Sequence, residues 1–370
     1  MIRQVIAPLF LLTAAIQAAP VFIGTSASKI SSNKGIYVAD FNSATGRLTA
    51  PALAAPYQNP GFLALHPTKP ILYACGQPTK PYADGSSSVA AFSLANESAF
   101  KLLGEASVGG KGACHLAVDS SGRAVAIANY GDGSVSMVKL DDDGLPEATA
   151  SVVSRTGSGP NNLRQNGPHA HGVYFDKSNT ILFVPDLGLD QVFVYPFDEG
   201  TLKLGKPLPS LIGSPGSGPR HMAFSSDEKN AYIINELDNS VLATSYESGK
   251  FKSLGAVLTL PQDFAGISSA AEIEIHPNGH FVYASNRGHN SISVYRRDGK
   301  TGTLVSVQLA TCSGRTPRHF KIDPSGKWLL CANQDSNAIS VLPLDPATGL
   351  LGTAGSTVSV PGPVCLLFGR

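Results

Sequence analysis

Residues 221–244 read HMAFSSDEKNAYIINELDNSVLAT. A short apolar run ends at Phe224, a polar turn follows, and a second run, Ala231 to Ile234, stops at Asn235. A further polar turn leads into a third run at Val241. Runs this short, rich in Ile, Tyr and Val and bounded by Ser, Asp, Asn and Glu, read as three strands joined by tight turns. The same phrase returns as HLAVDSSGRAVAIANYGDGSVSMV at 115–138, IEIHPNGHFVYASNRGHNSISVY at 273–295 and HFKIDPSGKWLLCANQDSNAISVL at 319–342. Weaker copies are FLALHPTKPILYACGQ at 62–77 and GVYFDKSNTILFVPDLGLDQVFVY at 172–195.

The residue ending the second strand marks the period. It falls at Thr25, Gly76, Asn129, Asp186, Asn235, Asn286 and Asn333, with spacings of 51, 53, 57, 49, 51 and 47. A fourth strand follows turns such as ATGRLTAP and TGTLVSV, and no stretch sustains helical periodicity. Four-stranded units at this period predict an all-β chain folded as a seven-bladed β-propeller. The first unit lacks its first strand. GPVCLLFGR, at 362–370, carries that pattern in the right phase, so the C-terminal strand is expected to complete blade one and close the ring.

With 42% hydrophobic and 15% charged residues, the chain has ample core and little tendency to disorder. A net charge of +1 gives no sign of a nucleic-acid or anionic-membrane partner. The opening MIRQVIAPLFLLTAAIQAAP has a charged start, a short apolar run and small residues, the pattern of a secretory signal over residues 1–18. The propeller then spans 19–370 as one domain. A cytosolic protein with an N-terminal strand or helix is the alternative. The sequon Asn96-Glu97-Ser98 is compatible with secretion. No other segment is long and apolar enough to span a bilayer. The five cysteines, Cys75, Cys114, Cys312, Cys331 and Cys365, show no metal or disulfide spacing and read as small buried hydrophobes.

The first strand of each blade lines the channel of a propeller, so equivalent positions form rings. Fifteen residues before the markers stand Gly61, Cys114, His171, Arg220, Ala271, Arg318 and, from the tail, Val364. One residue after them stand Ser26, Gln77, Tyr130, Leu187, Glu236, Arg287 and Gln334. The ionisable members, His171, Arg220, Glu236, Arg287 and Arg318, come from blades four to seven and are expected at one mouth. Arginine's planar fork suits a carboxylate or phosphate. An Arg220–Glu236 ion pair at the strand end, or rim arginines in solvent, would be the plain structural alternative. The Asx markers are expected to bond turn backbone. His66, His276 and His280 fall at turns and are expected to be exposed. Strand alternation turns His115, His221 and His319 away from the channel. His169 precedes His171 by two and is placed beside the substrate or behind it.

PHAHGVYFD, GPRHMAF, INELDNSV, ASNRG and TPRHFKIDPSGKWL together resemble the lactonase propellers, which include bacterial-type 6-phosphogluconolactonases and fungal 3-carboxy-cis,cis-muconate cyclases. The resemblance covers residues 21–370. It implies a catalytic set of His171, Arg220, Glu236 and Arg287, with Arg318 and His169 as substrate-binding candidates. The expected partner is a small anionic lactone or carboxylate substrate, and the chain is expected to be a monomer. Hydrolysis needs an activated water and a cationic site for the oxyanion. Glu236 or His171 would move the proton, and Arg220 and Arg287 would stabilise the negative charge. A lactone-forming cyclase would use the same parts, and a non-catalytic binding scaffold remains a third possibility. One acid among so many cations is a poor cage for a hard metal, so neither metal nor cofactor is expected.

Overall fold

The computed structural model describes residues 18–27, 34–96 and 98–369. Seven antiparallel sheets follow one another around a channel, each with its first strand innermost. Blade five shows the standard plan: Pro219–Phe224, Asn230–Asn235, Ser240–Glu247 and Lys250–Leu258. In blade one the innermost strand is Pro363–Phe368, paired with Ala19–Thr25, so the chain closes its own ring as expected. The signal placed on residues 1–18 lies, apart from Ala18, outside the described residues.

The hydrophobic core is divided. Each junction between neighbouring blades holds its own cluster, with Tyr232, Ile234 and Ala284 between blades five and six, for example. Repeated polar contacts join one blade to the next. Tyr73, Tyr232 and Tyr283, equivalent positions on second strands, donate to the carbonyls of Gly144, Gly302 and Gly349 in the following blade. Those glycines sit at positive φ, where a side chain would be strained. His66 and His276 make a second such contact. Each bonds a glycine carbonyl of the next blade, Gly122 or Gly326, through Nε2, while Nδ1 accepts from backbone N–H groups of its own turn. They are therefore buried rather than exposed, whereas His280 lies in solvent. The expectation failed because a turn residue packed against the next blade has no solvent face.

One irregularity controls the site. In blades three, five and seven the register skips a residue near the strand start. Ala113 faces Asn129 and His115 faces Ala128, leaving Cys114 between them. Arg220 and Arg318 are the skipped residues of blades five and seven. The closing strand does the same at Val364. Such bulges place two successive side chains on one face. Simple alternation therefore fails, and the column after the arginines also enters the channel. Phe62 of blade two lies 6.0 Å from the His221 ring of blade five and 5.7 Å from the His319 ring of blade seven. Contacts between blades so far apart in the ring are made across its centre.

Candidate active site

Glu236 follows the second strand of blade five, its N–H donating to the Gly218 carbonyl. Its side chain is 3% exposed. Oε2 accepts from Arg220 Nε at 3.1 Å and from Arg287 Nη2 at 2.8 Å. Oε1 accepts from Arg164 Nη2 at 2.5 Å. His171 Nε2 lies 4.0 Å from Oε2. Burial pushes the carboxyl pKa up, but Arg287, Arg220 and Arg164 outweigh it and hold it at about 2. Glu236 is thus an anion at every working pH. Arg220 and Arg287 are tied down further, to the carbonyls of Ala271 and of Ser269 and Ala270 in blade six. Four of the five ionisable residues read from the ring columns, His171, Arg220, Glu236 and Arg287, converge. The ion pair Arg220–Glu236 exists, but as part of a larger cluster, and Arg287 is mostly buried rather than solvated at a rim.

Arg164 was not anticipated. It lies outside the repeat, in the loop before blade four, so no column could flag it. The sequence signal was only its closeness to PHAHG. Its guanidinium also reaches the Tyr130 hydroxyl at 3.3 Å. His169 belongs to this outer group. It stacks on Tyr130 with centroids 4.5 Å apart and its Nδ1 lies 2.8 Å from the Tyr130 carbonyl oxygen. It supports Tyr130 and bonds none of the channel arginines. Blade four has only Tyr174–Phe175 as a regular inner strand, so His171 is held by its N–H to the Pro185 carbonyl and the neighbouring bridge of Ala170 to Asp186. Burial first, and Arg220 second, keep His171 neutral, far below the usual histidine range.

A second polar group lies further into the channel. His221 Nδ1 is 3.0 Å and His319 Nε2 is 3.4 Å from the same oxygen of Glu272. His115 accepts the Val173 N–H through Nδ1. Deeper on that face, Glu274 pairs with Lys321 and accepts the Ile322 N–H. The channel therefore holds three carboxylates, not the single acid expected from two columns. Among the described residues, no three potential ligands gather closely enough for a metal.

A cavity of about 130 Å³ opens beside these groups. Its lining includes Asn59, Cys114, Arg220, His221, Arg318 and His319. Glu236, Arg287 and His171 lie outside that lining, with Arg220 as the shared wall. Arg318 makes no hydrogen bond or ion pair among the described residues, and burial with nearby Arg220 lowers its pKa to about 9. A larger pocket of about 230 Å³ at the junction of blades one and two is lined mainly by apolar side chains such as Phe22, Leu94 and Phe100, and contains none of these groups.

The strand-end markers bond in part differently from expectation. Asn129, Asn235, Asn286 and Asn333 donate to serine hydroxyls on or beside the third strand, Ser134 and Ser136 in the case of Asn129. The expected backbone bonds are made in part: Asn286 and Asn333 also donate to the carbonyls of Thr259 and Cys312 in the connections between blades, and Asp186 takes a turn N–H from Gly188. All five cysteines are free, and Cys114 faces the cavity.

Residues 20–368 match the family described as "Lactonase, 7-bladed beta-propeller". The 6-phosphogluconolactonase of Bacillus subtilis is 34% identical over 339 residues, 91% of this chain and 95% of its own. A putative 6-phosphogluconolactonase of Bacteroides fragilis superposes with a TM-score of 0.88 at 32% identity, covering 97% of this chain and 99% of that one. The periplasmic gluconolactonase of Pseudomonas aeruginosa gives 0.87 at 27% identity, over 95% and 99%. By sequence match, blade plan and ring closure, the chain belongs to the seven-bladed β-propeller lactonase family.

Proposed function

We propose that this protein hydrolyses a sugar-type lactone in the mouth of its channel. The observation carrying this reading is the fixed cationic wall: Arg220 and Arg287 pinned on buried Glu236, with Arg318 unpaired beside a cavity. A lactone carbonyl becomes an oxyanion when water attacks. Guanidinium groups already in place stabilise that charge without reorganising during the reaction. Glu236 suits the role of a permanent counter-charge that fixes the arginines. A carboxylate held at a pKa of about 2 is a weak base.

The relatives named above support lactone opening over lactone closing, since each is a lactonase by name. They differ in whether the sugar is phosphorylated. A pH-stat panel of gluconolactone, its 6-phosphate and carboxymuconolactone, with and without chelator, tests the proposal. Acid release that disappears in Arg220→Ala while the fold persists is the expected result. Turnover of none of the lactones, or cyclisation of carboxymuconate alone, overturns it.

A further inference from the structure

We propose that His221, oriented by Glu272, is the base that activates the hydrolytic water. This rests on the lactonase reading and assigns it a proton acceptor. Glu236 is saturated, with Oε1 taken by Arg164 and Oε2 by Arg220 and Arg287. Among the described residues no carboxylate comes within hydrogen-bond reach of His171: its Nδ1 lies 3.8 Å from the Cys114 sulfur and its Nε2 4.0 Å from Glu236 Oε2. Neither residue lines the cavity, whereas His221 does.

The hydrogen bonds fix the tautomers. His319 accepts the Leu366 N–H at Nδ1, so its proton is on Nε2 and points to Glu272. His221 presents Nδ1 to the same carboxylate at 3.0 Å, so the proton sits on Nδ1 and Nε2 is left bare. Arg220 Nη1 is 3.3 Å from one ring nitrogen and 3.4 Å from the other. That near-equal spacing puts the guanidinium over the ring rather than on the Nε2 lone pair. Burial and then Arg220 keep the resting imidazole neutral and lower its basicity, a cost that the Glu272 carboxylate on Nδ1 counters as the ring takes up a proton. A base held by a carboxylate on its far nitrogen is the arrangement that nucleophile activation requires.

In the step, His221 Nε2 takes a proton from water as the oxygen attacks the lactone carbonyl carbon. The carbonyl electron pair moves to oxygen, beside Arg318 and Arg220. The tetrahedral intermediate then collapses, breaking the ring C–O bond. The imidazolium returns its proton to the departing alkoxide, leaving a hydroxy acid. Glu272 acts as a positioning residue.

The test is steady-state kinetics on the lactone that the wild type opens fastest. His221→Gln is expected to lose at least about 100-fold in kcat with KM within threefold, and His171→Gln under tenfold. Imidazole added to His221→Gly is expected to restore part of the rate, which a purely structural role would not allow. Glu272→Gln should lower kcat about tenfold at unchanged KM, with Glu272→Asp intermediate. A His221→Gln enzyme within threefold of wild-type kcat, or the larger loss falling on His171→Gln, overturns the inference alone. A wild type that opens no lactone overturns the reading beneath it. Should the His221 variants fail to fold, two-bond 1H–15N correlation on the wild type decides. Protonated Nδ1 with bare Nε2 at His221 supports the assignment, and a proton on Nε2 overturns it.

Discussion

Glu236 and Glu272 are both buried carboxylates in one channel, yet their surroundings differ in kind. The partners of Glu236 are three guanidiniums that stay charged. Those of Glu272 are two imidazoles held neutral by burial. The first arrangement fixes charge, and the second directs a hydrogen bond. Position in the channel alone therefore says little about what an acid does there. The permanence of its partners' charge says more.

The contrast breaks most sharply at Glu236→Gln. Removing this anion leaves Arg220 and Arg287 buried with no counter-charge, and a loss of about 3–5 kcal/mol is expected in urea unfolding. Next comes pH. His115, His171, His221 and His319 have folded pKa values below the ordinary 6.5, so their support is complete above pH 6.5 and is lost as pH falls. Each should add a slope of about 1.4 kcal/mol per pH unit to stability measured downward from there. Glu236 joins later, its support being lost between its ordinary 4.5 and about 2, and Glu236→Gln should erase only that acid limb. Glu272→Gln should cost about 1–2 kcal/mol, since its partners are neutral donors that the amide oxygen still accepts. Arg318→Met should have the smallest effect on stability, with a melting temperature unchanged or higher, because a half-buried cation with no ion-pair partner among the described residues is removed. Its effect should fall on KM instead, rising about tenfold.

The blades and their count were legible because strand period, turn residues and repeat spacing are local signals. The convergence of His171, Arg220, Glu236 and Arg287 was legible too, since a repeat turns sequence register into spatial register. Arg164 was not, because it sits in a loop that the repeat does not constrain. His221 and His319 were misread for a subtler reason. Alternation assumes unbroken pairing, and the skipped residues Arg220 and Arg318 next to them turn both neighbours inward. The burial of His66 and His276 depends on the adjacent blade and has no local signature.

The pairing of Ala19–Thr25 with Pro363–Phe368 has a consequence for biosynthesis. As the chain leaves the ribosome, blades form in order, but the inner edge of Ala19–Thr25 has no partner until the final strand emerges. An apolar edge stays open until Pro363–Phe368 has been made, the state most prone to pairing with another nascent chain. Closing so long a loop makes it a slow last step. Production at low temperature, or with a chaperone that shields strand edges, should therefore improve soluble yield more than any change inside the channel.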